Sequence, residues 1–233
     1  MIYLHKFNTV QEFEESYNSS GYTQPWVGVV ERTEEREPVI SYNKWNANGY
    51  DYVDLGLPSG NLWATMNVGA YSLTNSGNTY AWGEIEPKAS YTWDNYKHGN
   101  SYSVLTKYNG EDNIMTLLPE DDVAHVVMGG SWVMPTLDDI DEFWSNVTYG
   151  WVHLNDILTV KCTSKLNGEC IYFPPKDQSW GEFSIWSSTV YSPSVKRSAH
   201  CLTMSEFSGR MTFSLGSSDR YNPKTVRGII RTS

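Results

Sequence analysis

Chemistry in a protein starts with side chains that can hold a proton, a metal or a nucleophile, and this chain offers few of them in groups. The five histidines, His5, His98, His125, His153 and His200, stand apart. None has a second histidine three or four residues away or a neighbouring cysteine pair, so the spacing of a histidine metal site is missing. Packing in a core or on a surface is the plainer reading of each. Glu111, Asp112 and Asn113, with Asp121 and Asp122 nearby, carry oxygens that could surround a calcium ion, yet no loop has EF-hand spacing. Acids in the first turn of a helix explain Asp121 and Asp122 without a metal. No phosphate-cradling glycine loop, nucleophile elbow or HExxH pair stands out. Carboxylate pairs for glycoside hydrolysis are defined by their separation in space, and nothing here selects one pair. The expectation is a protein with no catalytic residue, no metal and no cofactor.

Three cysteines, Cys162, Cys170 and Cys201, do not make a disulfide framework. Asn167-Gly168 is a two-residue hairpin turn that would set Leu166 opposite Glu169, Lys165 opposite Cys170 and Cys162 opposite Phe173. Cys162 and Cys170 then lie on opposite faces, roughly 10 Å apart along the ladder, where a disulfide needs Cα atoms within about 7 Å. Free thiols follow, with Cys162 filling a core beside Val160, Ile171 and Phe173.

The elements that would position any site are legible from periodicity. In residues 51–69, Val53, Leu55 and Leu57 alternate with polar or small residues, as do Leu62, Ala64, Met66 and Val68. Pro58-Ser59-Gly60 between the two runs is turn chemistry, so the stretch reads as a β-hairpin around which the chain is organised. The long segment 85–111 carries Tyr91, Trp93, Tyr96, Tyr102 and Tyr108 without a period and reads as a loop packed by its own aromatics. A short helix over 123–128 follows Asp121 and Asp122 and stops at Gly129-Gly130. Thr136 caps a second helix that points Leu137, Ile140, Phe143 and Trp144 inward and Asp138, Asp139, Asp141 and Glu142 outward. From Val147 onward the pattern is β, ending in a strand over 226–231. Trp82, Trp132 and Trp186 sit in apolar runs and read as core.

Before the hairpin, Thr9 and Glu12 form a capping box that opens a short helix through Phe13 and Tyr17. Residues 25–30 and 38–42 then read as two short strands around the charged ERTEERE. This gives two domains, an anchoring or assembly module at 1–45 and a main body at 46–233. The module is too small to bury much alone. Its apolar residues Phe7, Phe13, Tyr17, Trp26, Val29 and Ile40 are the expected contacts with the main body, other copies or a larger assembly.

The composition narrows the class. The chain has 233 residues with 10 Trp and 16 Tyr, aromatics at 14% and charged residues at only 19%, which suits a β-rich protein with wide aromatic surfaces. A net charge of -10 argues against nucleic acid or an anionic membrane as partner. No stretch approaches 18 apolar residues, and the N-terminus lacks the apolar core of a signal peptide. Neither secretion nor membrane insertion is expected.

YVDLGLPSGNLWATMNVG, TYAWGE, GGSWVMPT, IWSSTVY and VRGIIR, in that order, resemble the Fibrobacter succinogenes major paralogous domain over residues 50–233. The family is similar to C-type lectin-like folds. The resemblance therefore implies an α+β architecture, two helices flanking twisted antiparallel sheets with a small N-terminal α/β appendage, in which residues 52–57 pair with 226–231. One departure is visible. The family ends Arg-Pro where this chain has Arg227-Gly228.

In lectin-like variable proteins the ligand face lies between the WSS motif and the last strand. That maps here to Tyr191, Ser192, Ser194, Lys196 and Arg197, and to Ser218, Asp219, Arg220 and Tyr221. The composition is that of adaptable binding loops, where an aromatic gives area and small polar residues give hydrogen bonds. The first 45 residues resemble segments that begin virion appendage proteins of Bacteroides-infecting phages. The resulting expectation is a non-enzymatic virion protein, a head fibre or tail appendage, made in the host cytoplasm. It would attach to capsid or tail proteins through the module, assemble as a homo-oligomer such as a trimer, and present its body to a host-surface glycan or protein. The alternatives are a lectin-like adhesion protein at a bacterial surface and a carbohydrate-active enzyme.

Overall fold

Tyr50–Asp54 and Leu62–Asn67 form the organising hairpin, with Val53 opposite Trp63 and Tyr52 opposite Ala64. Its turn closes with the Gly60 amide donating to the Leu57 carbonyl at 2.8 Å, and Gly60 has φ +73°, which a glycine takes without cost. In this computed structural model the backbone is described at residues 6–7, 29–30, 36–37, 45–176, 182–192, 197–207 and 210–232. The chain divides into two compact units, Met1–Arg36 and Glu37–Ser233. In the first, Lys6–Phe7 pairs in parallel with Val29–Val30, which places Phe7 and Val29 on short strands. Phe13, Tyr17, Trp26, Ile40 and the expected helix after Thr9 lie outside the described residues. In the second, Trp45–Ala47 is already a strand of the main sheet, paired with Tyr50–Asp54. The expected boundary after residue 45 would cut that strand.

The main sheet runs in the order Trp45–Ala47, Tyr50–Asp54, Leu62–Asn67, Arg227–Ile230, Trp132–Val133, with antiparallel neighbours throughout. The last strand thus pairs with the second arm of the hairpin, not with residues 52–57 as the resemblance implied. The reason is local: Trp45–Ala47 already occupies the free edge of the first arm, so the inner edge of Leu62–Asn67 is the one left to the chain end.

Both faces of this sheet are buried, which corrects the reading of Leu62, Ala64, Met66 and Val68 as its one apolar face. Val53, Trp63 and Ile229 enter one core with Ile140, Phe143, Val160, Cys162, Phe173 and Leu202. Ala64, Val68 and Val226 enter a second core with Trp82, Tyr108, Met128, Trp132 and Trp186. Trp63, Trp82, Trp132 and Trp186 are each fully buried. A buried tryptophan removes on the order of 200 Å² from water, about 5 kcal/mol of transfer free energy, comparable to a small domain's net stability. Two further antiparallel ladders complete the cores. Val147–Leu154, Ile157–Ser164 and Cys170–Phe173 follow one another in one, and Phe183–Val190, Ser198–Phe207 and Arg210–Asp219 in the other.

Among the described residues the architecture is mainly β, with 42% strand and 12% helix, and the expected α+β lectin-like arrangement with two flanking helices is overturned. The two α-helices among the described residues, Val123–Met128 and Leu137–Ser145, are short, and their buried residues plug the two cores one each. Covering a sheet face takes a longer apolar stripe than Ile140 and Phe143 supply. Thr136 caps the second helix as expected, in a capping box with Asp139, whereas Asp122, expected in the first turn of the first helix, is its N-cap and Asp121 lies in the 3-10 turn before it. Two acids expected to face away are engaged. Asp139 accepts from Asn61, Thr136 and Arg231, and Glu142 holds Ser59 in the hairpin turn.

The hairpin at Asn167-Gly168 also differs in register. Cys162 stands opposite Ile171 and Val160 opposite Phe173, because the connection spans 164–169 and closes through a Ser164–Glu169 backbone bond. Cys162 and Cys170 still fall on opposite faces, and all three cysteines are free thiols. Burial raises the thiol pKa of Cys162 and Cys201, so both stay protonated core fillers.

Candidate functional site

The loops picked out from the second half meet at one end of the three-stranded sheet. Phe183–Val190 leaves the sheet at Tyr191, whose amide donates to the Ser198 carbonyl at 3.1 Å as the chain returns. Ser198 stands opposite Asp219 at the end of the third strand. Arg197 bridges the two, its Nε 3.2 Å from the Asp219 carboxylate, which also accepts from Ser198 Oγ at 3.4 Å. Tyr191 is 44% exposed and leans on the His200 ring at 5.0 Å. The surface ion pair and the exposed aromatic thus lie at the same end of the sheet, an arrangement suited to hydrogen-bonding and stacking against a polar ligand. Ser194 and Lys196 lie outside the described residues.

Past Asp219 the chain turns over a second aromatic pair. Tyr221 packs on Trp93 at 5.0 Å, and Trp93 meets Tyr96 edge-on at 5.6 Å. Ser218 accepts from Asn222 at 3.0 Å, and the Asn222 amide caps the turn by donating to the Asp219 carbonyl.

Arg220 belongs elsewhere. It was expected on the ligand face, but it is fully buried. Its Nη2 donates to the Tyr108 carbonyl at 2.7 Å, and its guanidinium lies 4.9 Å from the Trp82 ring centre. Burial lowers its pKa, with nearby Tyr96 opposing, yet a guanidinium holds its proton far above neutrality. Its work is to tie the end of the third strand to the loop carrying Tyr108.

That loop is the packed segment expected over 85–111. Tyr96 and Tyr108 are buried, Trp93–Asn95 forms a single 3-10 turn, and Gly99–Ser101 pairs with Val104–Leu105. Asp121 fixes it. Lys97 and Lys107 each reach its carboxylate at 2.6 Å, Tyr108 OH donates at 2.8 Å, and the His98 ring nitrogen lies 3.6 Å away. Burial pushes this carboxyl up, but hydrogen bonds from Lys107, Lys97 and Tyr108 outweigh it and bring the pKa to about 2. Asp122 accepts from the backbone of His125 and Met134, and Asp112 from Tyr108 and Ile114. Three of the acids considered for calcium, Asp112, Asp121 and Asp122, are therefore turned onto ammonium and amide groups of the protein. Among the described residues no cluster of three or more His, Cys, Asp or Glu has metal-binding geometry.

Sequence reasoning missed His200, Trp93 and Met115. His200 was set aside because no partner lies near it in sequence, but the return from Tyr191 to Ser198 puts the tyrosine ring beside it. Its Nδ1 is buried with no hydrogen-bond partner among the described residues. Met115, 36% exposed, is brought alongside by the Val190 amide donating to its carbonyl. Pairing the two ends of the 191–198 connection on paper would have found His200; no local signal marks Trp93 or Met115. No protein-family model, curated protein or solved structure matches the chain.

Proposed function

We propose that this chain is a non-enzymatic recognition protein of a phage particle, attached through its first unit and presenting its mainly-β unit to a glycan of the host surface. The observation that carries the reading is the cluster at the end of the three-stranded sheet, where exposed Tyr191 stands by the Arg197–Asp219 pair. Sugars are bound by an aromatic face under their apolar side and planar charged groups on their hydroxyls, and this cluster holds both in a few residues. The division into two compact units supports attachment by one and display by the other. The resemblance of VRGIIR and its companion motifs to the Fibrobacter succinogenes major paralogous domain, and of the first 45 residues to phage appendage segments, supports the phage reading. A non-enzymatic role is supported by the consumption of Asp121, Asp122 and Asp139 in hydrogen bonds that hold loops and helix ends.

Binding of the full chain to immobilised surface polysaccharides of gut Bacteroidetes tests it. Tyr191→Ala and Arg197→Ala are each expected to weaken binding about tenfold, the range of one well-placed contact, with melting temperature unchanged. A wild-type chain that binds none of these glycans, or variants that bind as well as wild type, would refute the reading.

A further inference from the structure

We infer that the outer edge of Arg210–Asp219 is a self-association surface, on which a second copy of this chain adds the same strand antiparallel about a two-fold axis. The strand is ten residues long and pairs with Ser198–Phe207 on one side; among the described residues nothing pairs with the other. An open edge exposes a row of backbone donors and acceptors, and proteins that stay apart protect such rows with lysines, prolines or bulges. This one has none of these. Its sequence is RMTFSLGSSD, with no charge between its two ends.

Three features favour a second copy over an unrelated strand. The charges at the ends are opposite, so antiparallel pairing sets the Arg210 end of one copy beside the Asp219 end of the other, whereas parallel pairing would align like with like. A two-fold axis perpendicular to the sheet keeps each side chain on its own face. Centred on Leu215, it places Phe213 opposite Ser217 of the second copy and Ser214 opposite Gly216, pairs without like charges or clashing bulk. The core-facing residues at this edge are also unfinished. Phe213 and Leu215 pack against the first core but are only half-buried. Phe213 stacks on Trp144 with centroids 3.6 Å apart and planes 2° apart, and Trp144 meets Tyr149, itself 43% exposed, at 4.4 Å. A strand added beside Phe213 lengthens the cover over this aromatic row, giving an apolar contribution in addition to the backbone bonds.

The mass of the full chain in solution, measured by light scattering from about 1 to 100 µM, tests this against the double variant Ser214→Lys with Ser217→Lys. Both serines are exposed, and two lysines per copy bring four like charges into one small interface. The expected result is a mass that halves in the variant, with circular dichroism and melting temperature unchanged. Hydrogen exchange in the wild type is expected to slow at residues 210–219 as concentration rises. A wild-type monomer throughout the range overturns the proposal. So does an oligomer whose mass the lysines leave unchanged, which would place association elsewhere, as in the first unit. If the double variant misfolds, Ser214→Lys alone with the exchange experiment decides: protection independent of concentration overturns the proposal.

Discussion

Arg227 and Gly228 show how two adjacent residues can be fixed by opposite demands. Arg227 is fully buried, and its guanidinium donates to Asn67 Oδ1 and to the carbonyls of Ala64, Thr65 and Tyr172, each at 2.8 Å, while lying 4.3 Å from the Phe173 ring centre. Ala64 and Thr65 lie where the pairing with the last strand shifts register, and the fork supplies donors to their carbonyls there. Gly228 answers the opposite need. A Cβ there would sit 2.7 Å from Met128 Sδ and 3.1 Å from the Trp132 ring, so a side chain at this position can pass the first helix only if Met128 gives way. A proline at the same position would bring that bulk and more, which is the physical content of the departure from Arg-Pro. Gly228→Ala is expected to lower stability by about 1–2 kcal/mol, since the end of the Met128 side chain can yield. Gly228→Val should cost more, because the buried Trp132 ring cannot. Urea denaturation of both variants checks this, and equal stability in all three proteins would show that the approach is looser than it looks.

At the scale of elements, the segment over 85–111 behaves as one piece because Asp121 holds it from below. Its pH response follows from two groups with the same sign. His98 is buried, its Nε2 donates to the Gly83 carbonyl at 2.8 Å, and it is surrounded by Tyr96, Tyr108, Asp121 and the ammonium groups of Lys97 and Lys107. Burial lowers its pKa below the usual 6.5, with the Gly83 bond and Asp121 opposing. Between that lowered value and 6.5 the unfolded chain binds the proton and the folded one does not, so stability present above 6.5 falls as the pH drops. Asp121 adds a second loss. Its carboxylate contributes fully above the usual 3.8 and gives up its contribution as the pH falls towards about 2. Asp122 runs the other way, because burial raises its carboxyl and its cost eases on protonation. Melting temperature is therefore expected to fall between pH 7.5 and pH 5, and to fall less in His98→Gln, which removes the titrating ring and leaves Asp122 in place. An identical slope in the variant would assign the loss to other groups. The sequence foretold a packed loop here but not its keystone, since Asp121 looks like any acid at a helix start until Lys97 and Lys107 arrive from 24 and 14 residues away. The same limit explains the hairpin at Asn167-Gly168. Turn chemistry named the bend, but the Ser164–Glu169 bond that widened it depends on Ser164 Oγ reaching the Leu55 carbonyl, over a hundred residues distant.

For the whole molecule, the order of strands matters more than their number. The β pattern from Val147 onward and both helices, one between acids and Gly129-Gly130 and one behind the Thr136 cap, are legible because those signals are local. Which edges would meet was not local, and a resemblance in motifs carried over an architecture that the pairing contradicts. The last strand is the case in point. Arg227–Ile230 lies inside the main sheet, between Leu62–Asn67 and Trp132–Val133. Just before it, Thr225 accepts from the Trp186 amide at 3.0 Å, so the same few residues lace the three-stranded sheet to the main one. Beyond it, Arg231 reaches Asp139 at 2.8 Å and Thr232 donates to the Ser59 carbonyl at 3.2 Å, fastening a helix cap and the hairpin turn. These two sets of contacts differ in kind. The strand and the residue before it supply Ile229 and Val226 to separate cores and fill the gap between two strands, whereas Arg231 and Thr232 are exposed and act through single bonds. Removing residues 231–233 is therefore expected to lower stability by about 1–2 kcal/mol while leaving a cooperative unfolding transition. Removing 226–233 opens both cores and strands two edges at once, and should abolish that transition altogether. Thermal unfolding of the two truncated chains, followed by tryptophan fluorescence, separates these outcomes. A cooperative transition in the shorter chain would mean that the hairpin and the three-stranded sheet can close on each other without the strand that now joins them.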